Sequence, residues 1–440
     1  MHRFPILVWI PVLAAAAESG PLPLSFRRAI DLALSPEGSA RVQIAGEAVR
    51  QAQSRAAQAR GALLPNVDAS ISEQSLTRNL AAMGIHISIP IPGFQFPTMV
   101  GPFNVFDTRA SATQTVFDFS AIRRFQASKV GVGAARAESE STAEQVAAQV
   151  ARAYLTALKA ETDLTTVKAN IVLSEAILKQ AQDQKNAGTG TGIEIIRARV
   201  QLANERQRLV VVENERRRAR LQLLRAIGLQ LDTEIELTDR LEYRPVDAAV
   251  YEQAKASALK TRPDLAAQQE RESNARLAAS ATKMERLPSL AAFGDYGSIG
   301  SGINNALPTR TVGVSLRVPI FDGGRRDARR AETASQYRQE RVRTTDLRQQ
   351  IDLDVRLALD ELASAEDQVK VAREGLELAE SELNQARRRY DAGVSGSLEV
   401  TDAQTRLERA RDNQTAALYN HSLARIDLAQ ATGGVRRMTP

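Results

Sequence analysis

The stretch NAGTGTGIEIIRARVQLANERQR (186–208) occurs a second time in the chain as DAGVSGSLEVTDAQTRLERARDN (391–413). Gly188 aligns with Gly393, and the same shift of 205 residues aligns the acids, alanines and leucines that follow. Similarity at one fixed shift indicates that a structural unit is used twice. The fold is therefore expected to consist of two repeats of one unit.

The two repeats are placed at residues 22–236 and 246–440. Outside the opening match, VFDFS (116–120) aligns with IFDGG (320–324) at nearly the same shift. Each repeat shows a short helix ended by proline, two alternating segments around a loop, a very long helix, a glycine turn and another long helix. The order of elements predicts one long helical hairpin for each repeat.

The long helices carry a seven-residue pattern. In the second repeat large apolar residues recur every seven positions, with alanines three positions later. The large residues are Val355, Leu362, Val369, Leu376, Leu383 and Tyr390, and the alanines are Ala358, Ala365, Ala372, Ala379 and Ala386. A sustained heptad predicts supercoiled helices. At about 1.5 Å per residue, the helices predicted at 120–185 and 324–391 would each be about 100 Å long.

Alternating segments argue against a plain coiled-coil rod. In TRTVGVSLRVPIFD (309–322) apolar and polar side chains point to opposite faces. The apolar set is Val312, Val314, Leu316 and Val318, and the other set is Gly313, Ser315 and Arg317. NVDASIS (66–72) alternates in the same way, while 108–116 and 289–297 alternate less clearly. Strands of about ten residues with this period suit a transmembrane barrel, and because four cannot close one, oligomerisation is implied.

Composition narrows the function. Of the 440 residues only 4% are aromatic, and the net charge is +6. Basic and acidic residues are interleaved without a basic tail, which disfavours nucleic-acid binding. The chain has no cysteine, which excludes disulfides and a thiol-linked lipid anchor.

The N-terminus predicts export. MHRFPILVWIPVLAAAA (1–17) has a basic residue, an apolar run and small residues at its end, as in a signal peptide. No later segment contains ~18 or more uninterrupted apolar residues, so any membrane crossing is expected to use β-strands.

The residues do not predict an enzyme. His2, His86 and His421 are scattered, so no metal site is expected, and no cofactor motif is complete. In AGTGTG (187–192) a dinucleotide motif would need a glycine where Ile193 stands, so a turn between helices is predicted. His421 occupies a normally apolar heptad position and is expected to be a hydrogen-bonded residue at a helix contact.

Three motifs carry a family resemblance: RPDLAA (262–267), VPIFDGGRR (318–326) and YDAGVSGSLEVTDAQ (390–404). With the duplication, they make the chain resemble the TolC-type outer-membrane efflux protein family, the outer membrane factors. The resemblance implies a mainly α fold with a β-barrel portion. Three subunits would form one 12-stranded outer-membrane barrel that continues into a periplasmic α-barrel.

The resemblance also implies function and partners. The protein would be a passive exit duct of a tripartite efflux pump or type I secretion system, located in the outer membrane with a large periplasmic portion. Its partners would be two further copies of itself, outer-membrane lipid, a periplasmic adaptor protein and an inner-membrane transporter.

Site residues follow from the same resemblance. The turns expected to contact the adaptor contain Gly188, Thr189, Gly190, Thr191, Gly393, Val394, Ser395 and Gly396. The periplasmic gate would consist of Tyr390, Glu399 and Asp402. The family's arginine partner falls on Ser395, which leaves the lock of this gate weaker or differently bonded. The two acids are equally explained as first-turn residues favoured by the helix dipole.

Other interpretations remain open on the residues alone. A periplasmic adaptor would show a single hairpin inside a lipoyl-like domain, and a structural coiled coil would lack the strand segments.

Pro36 and Pro65 are 29 residues apart, whereas Pro263 and Pro288 are 25 residues apart, which predicts an extra turn in the first short helix. IPIPGFQFPTMVGPF (89–103) predicts a long outer loop, either disordered or folded over a pore mouth.

Overall fold

A computed structural model describes residues 20–86, 97–245 and 251–438. The signal peptide predicted at 1–17 and the repeat boundary at 246 lie outside the described residues. Within them the α-helices are α1 (Phe26–Leu34), α2 (Ala40–Gly61), α3 (Phe119–Asn186), α4 (Gly192–Ile227), α5 (Tyr251–Thr261), α6 (Pro263–Met284), α7 (Arg325–Asp391) and α8 (Ser397–Ala431). The strands are β1 (Leu22–Leu24), β2 (Asn66–Asn79), β3 (Met99–Phe117), β4 (Ile235–Leu237), β5 (Ser289–Gly300) and β6 (Leu307–Arg317).

The chain divides into two compact units. Met1–Gln43, Thr142–Thr261 and Leu353–Pro440 form the first, which contains both helix turns and is called the turn unit. Ile44–Ser141 and Arg262–Asp352 form the second, which contains the large sheet and is called the sheet unit.

The sheet unit contains an antiparallel sheet in the order β2-β3-β5-β6. Its register places one residue of each strand side by side on the same face. One such row is Val67, Ala112, Gly294 and Val312, and the row next to it on the opposite face is Asp68, Ser111, Asp295 and Thr311. Because side chains alternate along each strand, an apolar face and a polar face follow. The alternation predicted for 66–72 and 309–317 is confirmed.

Two strand boundaries differ from the sequence predictions. β6 ends at Arg317, so Val318 lies beyond the strand it was assigned to. Met99–Phe103 was predicted as part of a loop, but it opens β3, where Met99 pairs with Asn79 and Phe103 with Leu76. That part of the loop prediction is wrong because β-sheet pairing overrides its Phe, Pro and Gly content, and residues 89–96 lie outside the described residues.

The short helices also correct a prediction. α2 and α6 both have 22 residues, so the first has no extra turn. Pro263 is the first residue of α6. Proline has no backbone N–H, but at this position the helix does not use that N–H for a hydrogen bond. Pro36 lies instead in the connection before α2, where Ser39 donates its backbone N–H to the Ala33 carbonyl at 3.0 Å. The additional residues therefore belong to a turn.

In the turn unit the predicted heptads form the helix contacts. Val355, Leu362 and Leu383 of α7 are at most 4% exposed, and the alanines Ala403 and Ala424 of α8 are 1% exposed. A separate core surrounds Tyr154 of α3, whose hydroxyl donates to the Asp239 carboxylate at 2.7 Å. The ring of Phe26 packs edge-on against Tyr154, with the ring centres 5.8 Å apart.

Candidate functional site

The two helix turns have the same backbone geometry. Gly188 and Gly393 adopt φ angles of 75° and 68°, the left-handed conformation that closes a helix at low cost only for glycine. The N–H of Thr189 donates to the Gln184 carbonyl, and the N–H of Val394 donates to the Arg389 carbonyl, both at 3.0 Å. The sequence match at these turns is thus matched by equal hydrogen bonding.

Glu194 links the start of α4 to the start of α8. Its carboxylate accepts the backbone N–H of Thr191 at 2.8 Å, which completes part of the helix cap. That bond lowers the pKa of Glu194, and the backbone of Ser397 lowers it further. The charged form of Glu194 is therefore stabilised by both turns.

Tyr390 is buried beneath the turns. It packs with Leu383 and Val400 in a cluster that includes Ile177 of α3, and its hydroxyl has no hydrogen-bond partner among the described residues. Burial raises the pKa of Tyr390, and the charge of Glu194 raises it further. The predicted gate tyrosine thus lies inside the protomer and faces an acid of the other hairpin.

The two predicted gate acids lie on the surface. Glu399 and Asp402 are both exposed, one turn apart on α8. Arg389, near the end of α7, places its Nε 3.2 Å from Glu399 Oε1. The family resemblance places the arginine partner at Ser395, whereas the arginine that pairs with Glu399 in the structure is Arg389. The structure therefore separates the gate prediction into an exposed acid pair and a buried tyrosine.

Further contacts at the turns could not be read from the sequence. Gln180 of α3 donates to Asp391 at the end of α7, which joins the two hairpins a second time. Apolar side chains are exposed at both turns, with Val394 71% and Ile193 54% exposed. A heptad pattern identifies the seam of a hairpin but does not identify the partners of its tip.

His421 departs from its prediction. It is fully buried at a helix contact, as expected, but neither ring nitrogen has a hydrogen-bond partner in the described part of the chain. Its ring packs against Tyr243, with the ring centres 4.9 Å apart. Burial lowers the pKa of His421, so the neutral ring is the favoured form.

The described residues contain no group of three or more His, Asp or Glu side chains that could hold a metal ion. Among the same residues, no helix is both long enough and apolar enough to cross a membrane. The described residues form a sheet with one apolar face and one polar face, and two long helical hairpins that are joined at their turns.

Comparison with known proteins shows which family has this arrangement of sheet and hairpins. The family described as outer membrane efflux protein matches residues 36–229 and again 255–434. The alkaline protease secretion protein AprF of Pseudomonas aeruginosa is 24% identical over 337 residues, covering 73% of this chain and 68% of AprF. The pyoverdine export outer membrane protein OpmQ of Pseudomonas putida is 25% identical over 396 residues, covering 88% of this chain and 81% of OpmQ.

Solved structures share the fold. The CmeC outer membrane channel of Campylobacter jejuni superposes with a TM-score of 0.79 at 17% identity, covering 93% of this chain and 85% of CmeC. The open state of the MtrE outer membrane channel of Neisseria gonorrhoeae gives a TM-score of 0.77 at 18% identity, covering 93% of this chain and 89% of MtrE.

Sheet, hairpins and matches together define an outer-membrane channel, an exit duct with a helical portion in the periplasm. The chain belongs to the outer membrane efflux protein family. The family and its fold are those of channel proteins.

Proposed function

We propose that three copies of this chain close one 12-stranded barrel in outer-membrane lipid and act as the passive exit duct of a tripartite efflux pump or type I secretion system. Each copy would correspond to the two repeats 22–236 and 246–440 of the mature chain. Four strands are too few to form a barrel, and three copies supply twelve.

The observation that carries this proposal is the unfinished sheet. Within the described residues β2 and β6 each pair with one neighbour only, so each has a free edge. Val312 is 85% and Ile71 is 77% exposed on the apolar face. A long exposed edge beside an exposed apolar face is unfavourable in water, and pairing with further copies in lipid removes both costs.

The turns are proposed as the adaptor-binding surface. Residues 188–191 and 393–396 combine small residues with exposed Val394, which suits a shallow contact with another helical tip. An inner-membrane transporter would be joined through that adaptor.

The gate is proposed at the same end. Glu399 and Asp402 would line the periplasmic opening, with Arg389 holding Glu399 in place of the missing arginine. Tyr390 would act from inside the protomer by packing in the cluster with Ile177 of α3, which holds the two hairpins together.

The cargo is proposed only as a class. One relative is named for protease secretion and another for pyoverdine export, so a duct of this kind can serve a polypeptide or a small molecule. Selection would then belong to the transporter that feeds the duct.

Cell fractionation and bilayer recording test the proposal together. We expect the protein in the outer-membrane fraction, as an oligomer that unboiled SDS gels retain and boiling dissociates. The purified oligomer should conduct ions across a planar bilayer without an energy source. A periplasmic monomer that does not conduct would contradict the proposed duct.

A further inference from the structure

A buried polar cluster lies where α3, α4 and α8 meet in the turn unit. Glu205 of α4 is 3% exposed, and Glu408 and Gln404 of α8 are 7% and 1% exposed. Glu205 occupies a heptad position whose other members are buried and apolar. Those members are Ala198, Val212 and Ala219. A carboxyl group here is costly unless it is neutral or fully paired.

Two amides contact the carboxyl groups. Gln201 Nε2 lies 3.2 Å from both oxygens of Glu408 and 3.5 Å from Glu205 Oε1. Gln404 Nε2 lies 3.1 Å from Glu408 Oε1 and 2.6 Å from Ser174 Oγ of α3. Glu205 Oε2 is buried and has no hydrogen-bond partner among the described residues. Most of the hydrogen bonds from the two amides go to Glu408. Glu205 is therefore the carboxyl group without a full set of hydrogen-bond partners.

The surrounding charges do not neutralise the pair. Arg208 of α4 lies nearby, but its Nη2 contacts both oxygens of Asp412 on α8 at 2.6 and 2.5 Å. On the α3 side, Arg411 of α8 donates to Asn170 Oδ1 at 2.7 Å. Burial first, and then the negative charge of Glu408, raises the pKa of Glu205 to about 7. A proton on Glu205 is the simplest counter-charge for this site.

We propose that Glu205 holds a proton beside Glu408 and that the two side chains form a pH-operated latch between α4 and α8. The latch rests on the proposed duct function, because α8 also carries Glu399 and Asp402, about two turns nearer its start. With the proton present, the site does not hold two negative charges, and α8 stays packed on α4. Without it, two negative charges share a buried site, and α8 is pushed away.

The direction of the pH effect follows from linkage. A carboxyl group whose pKa is raised in the packed state favours that state at low pH, fully below its ordinary value of 4.5, and the effect is lost as pH rises through about 7. Acidification therefore closes the duct, and alkaline conditions loosen it. The two pKa values correspond to a change on the order of a hundredfold in the balance of packed and loosened states.

Infrared spectroscopy of the purified oligomer tests for the proton on Glu205 without any channel recording. The carbonyl stretch of a protonated carboxyl group should disappear as pH rises through about 7. Glu205→Gln should remove that transition, because an amide does not titrate. Glu215→Gln is the matched control, since Glu215 is an exposed glutamate of the same helix. Loss of the transition in the control, or its persistence in Glu205→Gln, would overturn the proposal.

Planar-bilayer recording over the same pH range tests the latch. Wild type and Glu215→Gln should open more often as pH rises, by up to about a hundredfold, whereas Glu205→Gln should respond little. An oligomer that conducts but shows the same pH response with Gln at 205 would refute the latch and leave the duct standing. An oligomer that never conducts would refute the duct, while the infrared transition would still decide whether Glu205 holds the proton.

Discussion

At the residue scale, single side chains hold the two helix turns together. Glu194 joins α4 to α8, Gln180 joins α3 to α7, and Arg389 holds Glu399 across one hairpin. The ion pair of Arg389 with Glu399 is exposed, and such pairs contribute about 0–1 kcal/mol each. A weak contact of this kind between α7 and α8 suits the opening that is proposed for this end of the channel.

The glycine at position 393 should tolerate no large side chain. Gly393→Leu forces a left-handed backbone on a branched residue, which costs about 1–3 kcal/mol, and covers the proposed adaptor surface. We expect trimers to assemble and efflux to be lost in a drug-resistance assay. Gly46→Leu is the control, because Gly46 lies in α2 with open space where a side chain would begin. Normal efflux by Gly393→Leu would count against the adaptor surface.

The exposed acids should bind multivalent cations. Three copies would bring six carboxylates around one axis, and their repulsion would favour cations. Bilayer recordings should show cation selectivity and block by trivalent ions from the periplasmic side, and Glu399→Ala with Asp402→Ala should relieve the block. Glu374→Ala with Glu380→Ala removes two exposed acids elsewhere on α7 and should leave block unchanged. Full block in the first double variant would favour the helix-dipole explanation of these acids.

His421 predicts an acid sensitivity separate from that of Glu205. Its pKa is lowered in the folded chain, so the unfolded chain takes up a proton first and stability falls as pH drops below about 6.5. His421→Leu should reduce this loss in thermal melts at acidic pH and change stability at neutral pH by less than about 1 kcal/mol. His86→Leu, at an exposed histidine, is the control. An unchanged acid profile in His421→Leu would contradict the burial argument.

At the element scale, the register of the sheet predicts which residues of β6 lie on each of its two faces. Val314 and Leu316 lie on the apolar face of β6, and Ser315 and Arg317 lie on the polar face. The chain has no cysteine, so single cysteines can be introduced at each position. Probes that partition into membranes should label 314 and 316, and aqueous probes should label 315 and 317. The opposite pattern would show a one-residue slip, which exchanges the faces.

The sequence predicted the elements that depend on a local period. The heptads of α7 and α8 and the alternation of β6 repeat often enough to survive irregular positions. The length of α2 and the end of β6 were not predicted correctly. A proline can lie inside a turn or just after a strand, and the sequence alone does not show where the neighbouring helix or strand ends. Glu205 could have been noticed, since an acid interrupts the apolar row from Ala198 to Ala219.

The turn site was less predictable. Gly188 and Gly393 were recognised because a helix that ends in a glycine turn has a local signature. Arg389 and Gln180 were not, because their partners are fixed by how two hairpins meet. Tyr390 matched the family by position, but only the fold shows that it is buried and faces Glu194.

At the scale of the whole molecule, the described residues supply a four-stranded sheet and two hairpins, and the unpaired edges of β2 and β6 there support the proposal that further copies complete a barrel. The proposed gate and the proposed adaptor surface both depend on that assembly, because a ring of acids and a shared tip would form only around a common axis. The proposed channel therefore depends above all on the number of copies of the chain in the assembly.

Native mass spectrometry of the purified protein in detergent measures that number directly. The proposed trimer predicts a single species with the mass of three mature chains, since three sets of four strands would close a 12-stranded barrel. A monomer, a dimer or a tetramer as the stable species would contradict it.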